Sequence, residues 1–215
     1  MKGRFVLLVL CFWACAERDN PYDPANRPTG QVVDTGPRLP VPGPGIKVVL
    51  RDSASRANSQ LPYHYFANIQ SAFDTLDPGD TLWVQGGRTY STMSLTLRRG
   101  GARLLPVTIR SFGGEARILA RSLVPNLLVL EQGAVFVHIS GFAFVGATAP
   151  AILGVNIPGD IWIDSCRIDT SYTAIEMRNI AGSVRIHDVT MTADSLVPPV
   201  SFQGVGLLDT ARLRW

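Results

Sequence analysis

Two tryptophans, a histidine and an arginine recur at one place in a repeating pattern, and their chemistry suits sugar recognition. Trp83, Thr108, His138, Trp162 and Arg185 each form the middle of an apolar–x–apolar triplet: Leu82-Trp83-Val84, Val107-Thr108-Ile109, Val137-His138-Ile139, Ile161-Trp162-Ile163 and Val184-Arg185-Ile186. With the flanking residues buried, the middle ones stand on a common outer face. An exposed indole gives a flat apolar surface for a sugar ring, and a neighbouring guanidinium or imidazole can hold carboxylates or hydroxyls. The plainer alternative is that these side chains are solvated or covered by loops. Other chemistry is sparse. His138 and His187 are general bases by type, but they occupy different positions in the pattern, with no carboxylate obviously orienting either. Glycoside hydrolysis works through a pair of carboxyl groups, and the chain contains no Asp-Asp pair. Phosphate-loop, dinucleotide-binding, His-rich and Cys-rich signatures are missing. The three cysteines, Cys11, Cys15 and Cys166, supply neither a disulfide framework nor a Cys-x-x-Cys knuckle.

The elements that must position these residues are strands. The triplets end at residues 84, 109, 139, 163 and 186, at steps of 25, 30, 24 and 23. A buried first and third residue around a variable middle one is the period of a strand with one face inward. In the later copies the phase then slips by one. Ser140-Gly141 precedes Phe142-Ala143-Phe144, Asp164-Ser165 precedes Cys166-Arg167-Ile168, and His187-Asp188 precedes Val189-Thr190-Met191. A straight strand with such a slip would turn its apolar set to solvent, so the chain bends there. Cys166 falls with Phe112, Phe142 and Val189 and reads as a small core hydrophobe.

A third series of apolar runs lies between these pairs: Leu127–Leu130, Ala151–Val155, Ala174–Met177 and Val205–Leu208. Three short strands per turn, each turn stacked about 4.8 Å above the last, make an all-β parallel solenoid. Helical patterns of 10 to 15 residues between strands, the mark of a doubly wound sheet, are absent. An antiparallel sandwich is the competing architecture, and it leaves the repeated corner unexplained.

Asn68-Ile69-Gln70-Ser71-Ala72-Phe73, Pro78-Gly79-Asp80-Thr81-Leu82-Trp83-Val84 and Gly87-Arg88-Thr89-Tyr90 together resemble the opening of the right-handed parallel β-helix proteins of the pectin-lyase-like group: a short helix, a Pro-Gly-Asp turn, a strand and a Gly-x-Tyr. With the coils that follow, the likeness runs from about Ile46 to the end. It implies a capping helix whose Ile69, Phe73 and Leu76 cover the open first coil, and polysaccharide as the ligand class. Ile161-Trp162-Ile163-Asp164-Ser165-Cys166 also resembles the Trp-Ile-Asp-His-Cys stretch of pectate lyases, which implies a place for Asp164 near a calcium ion. Here Ser165 replaces the histidine, and a second acidic ligand and a catalytic Arg-Pro are not evident. Asp169 lies beyond a corner, and calcium takes 6 to 8 oxygens. No other cofactor is implied.

The N-terminus carries an address. Met1–Arg4 is short and basic, and Phe5–Ala14 is an apolar run of ten residues, the length of a signal-peptide core rather than of a bilayer-spanning helix of about 20. Residues 1–14 therefore read as a signal peptide. Ala14-Cys15 resembles the end of a bacterial lipobox with Cys15 as the acylated residue, and the following Glu17-Arg18-Asp19-Asn20-Pro21-Tyr22 resembles a lipoprotein tether. Ala14-Cys15-Ala16 also fits ordinary signal cleavage, leaving a simply secreted protein. Ala16 after the cysteine implies sorting to the outer membrane. Pro21–Pro44 holds seven of the 15 prolines, and residues 15–45 read as an extended tether or as an irregular arm on the domain of residues 46–215.

Composition bounds the rest. The 215 residues are 46% hydrophobic and 17% charged with a net charge of +3, and setting Lys2 and Arg4 aside with the leader leaves near balance, so no nucleic-acid partner is implied. Leu213-Arg214-Trp215 repeats the apolar, polar, apolar pattern of Val184-Arg185-Ile186 and reads as the start of a sixth copy. No cap follows it, which points to further coils or a covering partner. The expectation is an envelope-anchored β-helix binding polysaccharide. The alternatives are the front part of a lyase or glycoside hydrolase acting on acidic glycans, a structural or adhesive solenoid with no glycan ligand, and a solenoid that associates through its last coil.

Overall fold

The computed structural model describes residues 45–49, 64–170, 173–192, 198–211 and 213–214. The segments read as signal peptide and tether, Cys15 among them, lie outside the described residues except for Gly45. The chain forms β1 (Ile46–Val49), β2 (His64–Phe66), α1 (Ile69–Phe73), β3 (Thr81–Gln85), β4 (Thr89–Thr92), β5 (Leu95–Leu97), β6 (Val107–Phe112), β7 (Ala116–Ala120), β8 (Leu128–Leu130), β9 (Val137–Ser140), β10 (Phe142–Ala147), β11 (Ile152–Ile157), β12 (Ile161–Asp164), β13 (Arg167–Thr170), β14 (Ile175–His187), β15 (Thr190–Thr192) and β16 (Val200–Ala211). The pairings between these strands are parallel. The protein is an all-β parallel solenoid of about five turns, with one short helix among the described residues, and the sandwich is excluded.

Three strand columns make two sheets. The first column, β1, β3, β6, β9 and β12, joins the third, β5, β8 and β11, because β14 and β16 each run through both. The second column, β4, β7, β10, β13 and β15, forms a sheet of its own. Inward residues stack in register. Leu82, Ile109, Ile139, Ile163 and Ile186 form one ladder and Tyr90, Ile118, Phe144, Ile168 and Met191 another, all buried. Each buried side chain of this size contributes about 1.5–3 kcal/mol, so these ladders, rather than the exposed ion pairs on the outside, hold the coils together.

The phase slip between first and second columns has a backbone cause. Gly141, Ser165 and Asp188 occupy the same corner on successive coils with φ of 79°, 50° and 49°, and one left-handed residue resets the alternation. A second corner is built from Asn156, Asn179 and Gly204, with φ of 55°, 56° and 62°; Asn179 Nδ2 donates to Asn156 Oδ1 at 3.0 Å. Asparagine tolerates this conformation better than most residues, and the sequence reading did not single out this corner.

At the start of the solenoid the helix lies where expected. The Asn68 side chain accepts from Ser71 N at 2.8 Å, capping α1, and Ile69, Phe73 and Leu76 are buried in the core. Gln70 takes both backbone groups of Thr96, donating to its carbonyl at 2.9 Å and accepting its N–H at 2.8 Å. The open edge of β5 is thereby covered. In the Pro-Gly-Asp turn, Asp80 accepts from Asp77 N at 2.7 Å and pairs with Lys47 of β1.

Three register assignments differ from the sequence reading. Trp83 stands beside Arg110, not Thr108, because β3 pairs with β6 two residues further along. The third-column partner of Ile175–Met177 is Val200–Phe202, whereas Leu207 and Leu208 lie beside Ser183 and Val184 in the first column. Arg214 bridges Thr190 of the second column, and the residues beside Val184–Ile186 are Leu208–Thr210 rather than the triplet that begins at Leu213. In addition, Ala116 rather than Phe112 aligns with Phe142 and Cys166.

Candidate functional site

The outward side chains of the first column fall into two rows. Thr81, Thr108, His138, Trp162, Arg185 and Asp209 form one. Two residues along each strand, Trp83, Arg110, Ser140, Asp164 and His187 form the other. Strand alternation puts both rows on the same outer face. Toward the later coils that face opens into a groove of about 410 Å³ lined by His138, Trp162, Asp164, Arg185, His187 and Asp209, with Ile163 and Ile186 beneath.

Trp162 is the centre of the groove. The His138 ring meets it edge-on, with centroids 6.3 Å apart and planes at 87°, and the Arg185 guanidinium carbon stands 5.9 Å from its centroid on the next coil. Trp162 Nε1 is shielded from solvent and has no hydrogen-bond partner among the described residues. Trp83 sits three coils earlier in the other row, with Arg110 over its ring at 4.4 Å. Of the sequence candidates, His138, Trp162 and Arg185 are therefore brought together, while Trp83 makes a separate cation–π pair.

Asp164 lies between two imidazoles. Its Oδ2 is 3.9 Å from His138 Nε2, and its Oδ1 is 3.4 Å from His187 Nδ1. The expectation that no carboxylate orients either histidine is thus corrected. Burial pushes the His138 pKa below the usual imidazole value; Asp164 opposes that effect and Arg110 reinforces it. His187 Nδ1 also faces Asp188 Oδ2 at 3.1 Å. His187 and Asp209 were not placed in this groove by sequence reasoning, although the i, i+2 spacing of Arg185 with His187 was the signal available.

The described side chains around Asp164 are two imidazoles, the Asp188 carboxylate and the Ser165 hydroxyl, which donates to Asp164 Oδ1 at 3.1 Å; calcium takes six to eight oxygens. Asp169, the nearby carboxylate, faces away on the second column and pairs with Arg167 at 3.0 Å. Cys166 is also out of reach. Its burial pushes the thiol up to about 12, and Sγ donates to Asp164 O at 3.2 Å.

No protein-family model, curated protein or solved structure matches the chain. A solenoid of this kind fixes no activity by itself; the side chains on its face do. What these can offer is an aromatic platform, a guanidinium, two carboxylates and two imidazoles within one open groove.

Proposed function

We propose that this groove binds polysaccharide and that the chain is an envelope-exposed solenoid held to the outer membrane through an acylated Cys15. The observation that carries the binding reading is Trp162, flanked on its own row by His138 and Arg185 inside a groove of about 410 Å³, within the roughly 300–1,000 Å³ range of small-ligand sites. A sugar ring has an apolar face for the indole and a rim of hydroxyls for the charged groups. The groove runs across the coils, so a chain of sugars can extend past it along the face. The pectin-lyase-like resemblance of residues 68–90 supports the same ligand class, and the signal-peptide and lipobox reading supports the location.

A second reading, cleavage of an acidic glycan, has one observation in its favour: His138, biased toward its neutral form by burial, stands beside the Asp164 carboxylate, as a general base would. The binding reading is preferred because Trp162 with His138 and Arg185 beside it supplies a sugar platform without calling on proton transfer.

Affinity electrophoresis of the parent and of Trp162→Ala across a panel of polysaccharides tests the binding proposal. Retardation of the parent by at least one glycan and its loss in Trp162→Ala is the expected result. Equal retardation of both proteins overturns the role of the groove. Migration unaffected by every glycan overturns the ligand class and leaves a structural solenoid. Growth of ultraviolet absorbance from unsaturated uronide product would select the cleavage reading instead.

A further inference from the structure

We propose that Asp164, His187 and Asp188 form a site for a divalent metal ion that takes mixed nitrogen and oxygen ligands, with zinc as the best fit. One ligand atom from each of these residues lies within 4.8 Å of the other two. His187 Nδ1 is 3.4 Å from Asp164 Oδ1 and 3.1 Å from Asp188 Oδ2. Ligands about 2.0–2.1 Å from a tetrahedral zinc ion are separated from one another by about 3.3 Å, and the two distances fall on either side of that edge.

Hydrogen bonding accounts for part of the pattern, Ser165 donating to Asp164 Oδ1 at 3.1 Å. His187 Nδ1 can carry one proton, yet two carboxylate oxygens converge on it, and the ligand atoms of the three residues lie within 4.8 Å of one another. Like charges brought this close raise the free energy of the site. A divalent cation accepted by the Nδ1 lone pair and by both oxygens removes the repulsion and uses all three groups. The residues come from neighbouring coils: Asp164 ends β12, and His187 and Asp188 end β14 and turn the corner after it. The parallel register that pairs Asp164 with His187 therefore builds the site.

The ligand set excludes calcium as the preferred ion and selects a metal of the zinc type, since an imidazole with carboxylates suits zinc or copper. Three protein ligands leave a fourth position free, as in zinc sites that take water or a substrate oxygen. His187 and Asp164 line the groove, so that position faces the space beside Trp162. His138 Nε2, 3.9 Å from the other Asp164 oxygen, is placed to orient the carboxylate rather than to coordinate. This inference is independent of glycan binding and is tested with metal alone.

Zinc chloride is titrated into metal-free full-length protein by calorimetry, and the zinc-loaded protein is measured by X-ray absorption. The expected result is one zinc per chain with nitrogen and oxygen neighbours at about 2.0–2.1 Å and no sulfur at about 2.3 Å. His187→Ala and Asp188→Asn each weaken the binding at least tenfold, and His64→Ala leaves it unchanged. His138→Ala weakens it less than His187→Ala does. Calcium chloride in the same range gives no saturable heat. Absence of saturable zinc binding overturns the proposal, as does binding that survives His187→Ala or a sulfur-containing shell from Cys11 and Cys15. Circular dichroism of each variant separates loss of the site from loss of the fold.

Discussion

Gly141→Ala tests the corner that the whole outer face depends on. Gly141 turns the chain from β9 into β10 with φ of +79°, a conformation that costs an L-residue about 1–2 kcal/mol. A Cβ there would also meet Ser111 Oγ at 2.2 Å and Ser111 Cβ at 3.3 Å. The hydroxyl can rotate away, but the Cβ contact stays tight, and an off-rotamer Ser111 adds about 0.5–1.5 kcal/mol. The sum is roughly 1.5–3.5 kcal/mol, which for a domain of this size lowers Tm by roughly 3–14 °C. Thermal melts followed by far-ultraviolet circular dichroism, with urea midpoints as a check, measure it. Adding Ser111→Gly should recover the steric part and leave the backbone part. Ser165→Gly, at the same corner one coil later with φ of 50°, removes a left-handed L-residue and should not lower the midpoint. A Gly141→Ala protein melting within about 1 °C of the parent would refute a left-handed corner at this position.

Two further outcomes follow from groups that the fold withdraws from water, one half-buried and one buried. In the metal-free protein the His138 ring should titrate by NMR with a midpoint below the 6.5 of a free imidazole; Arg110→Gln should move it up and Asp164→Asn further down. Because the folded value is lowered, the stability linked to His138 is fully present above pH 6.5 and is lost as the pH falls through the folded midpoint, so His138→Asn should flatten stability over that interval. Cys166, buried with its thiol pushed up to about 12, should resist alkylation at pH 8 in the folded protein and react once urea unfolds it, as read by peptide mass spectrometry.

The strands of the first column and the corner after each were legible because a buried face imposes a period of two, and a left-handed residue interrupts it visibly at Gly141, Ser165 and Asp188. The helix was legible through Asn68, a capping residue before an apolar face. Register was less so. A shift of two keeps each face of a strand, but Ser111 opposite Val84 breaks the apolar triplet, so the pattern matched Leu82-Trp83-Val84 to Val107-Thr108-Ile109 and only the three-dimensional pairing placed Trp83 beside Arg110. The sixth pass falls at Leu208 rather than Leu213 because β16 runs without a break from the third column into the first. The groove was half legible. Row members with Trp162 could be aligned by triplet, whereas Asp164 between His138 and His187 depends on residues from three coils meeting across the face. Short strands such as β1, β2 and β5 were not singled out, their apolar runs being too brief to stand out from loops.

Parallel stacking in this register is the claim on which the groove, the ladder cores and the metal site all rest, and dipolar electron paramagnetic resonance between spin labels measures it. Cysteines for labelling are placed at Thr81 together with His138, Arg185 or Asp209, in a background with Cys11, Cys15 and Cys166 replaced by serine. These positions lie in one row, two, four and five coils from Thr81, so the separations should rise in proportion to the coil count, to about 10, 19 and 24 Å. Distances that fail to increase in that order, or that bring Asp209 closer to Thr81 than Arg185 is, would contradict the stacked solenoid.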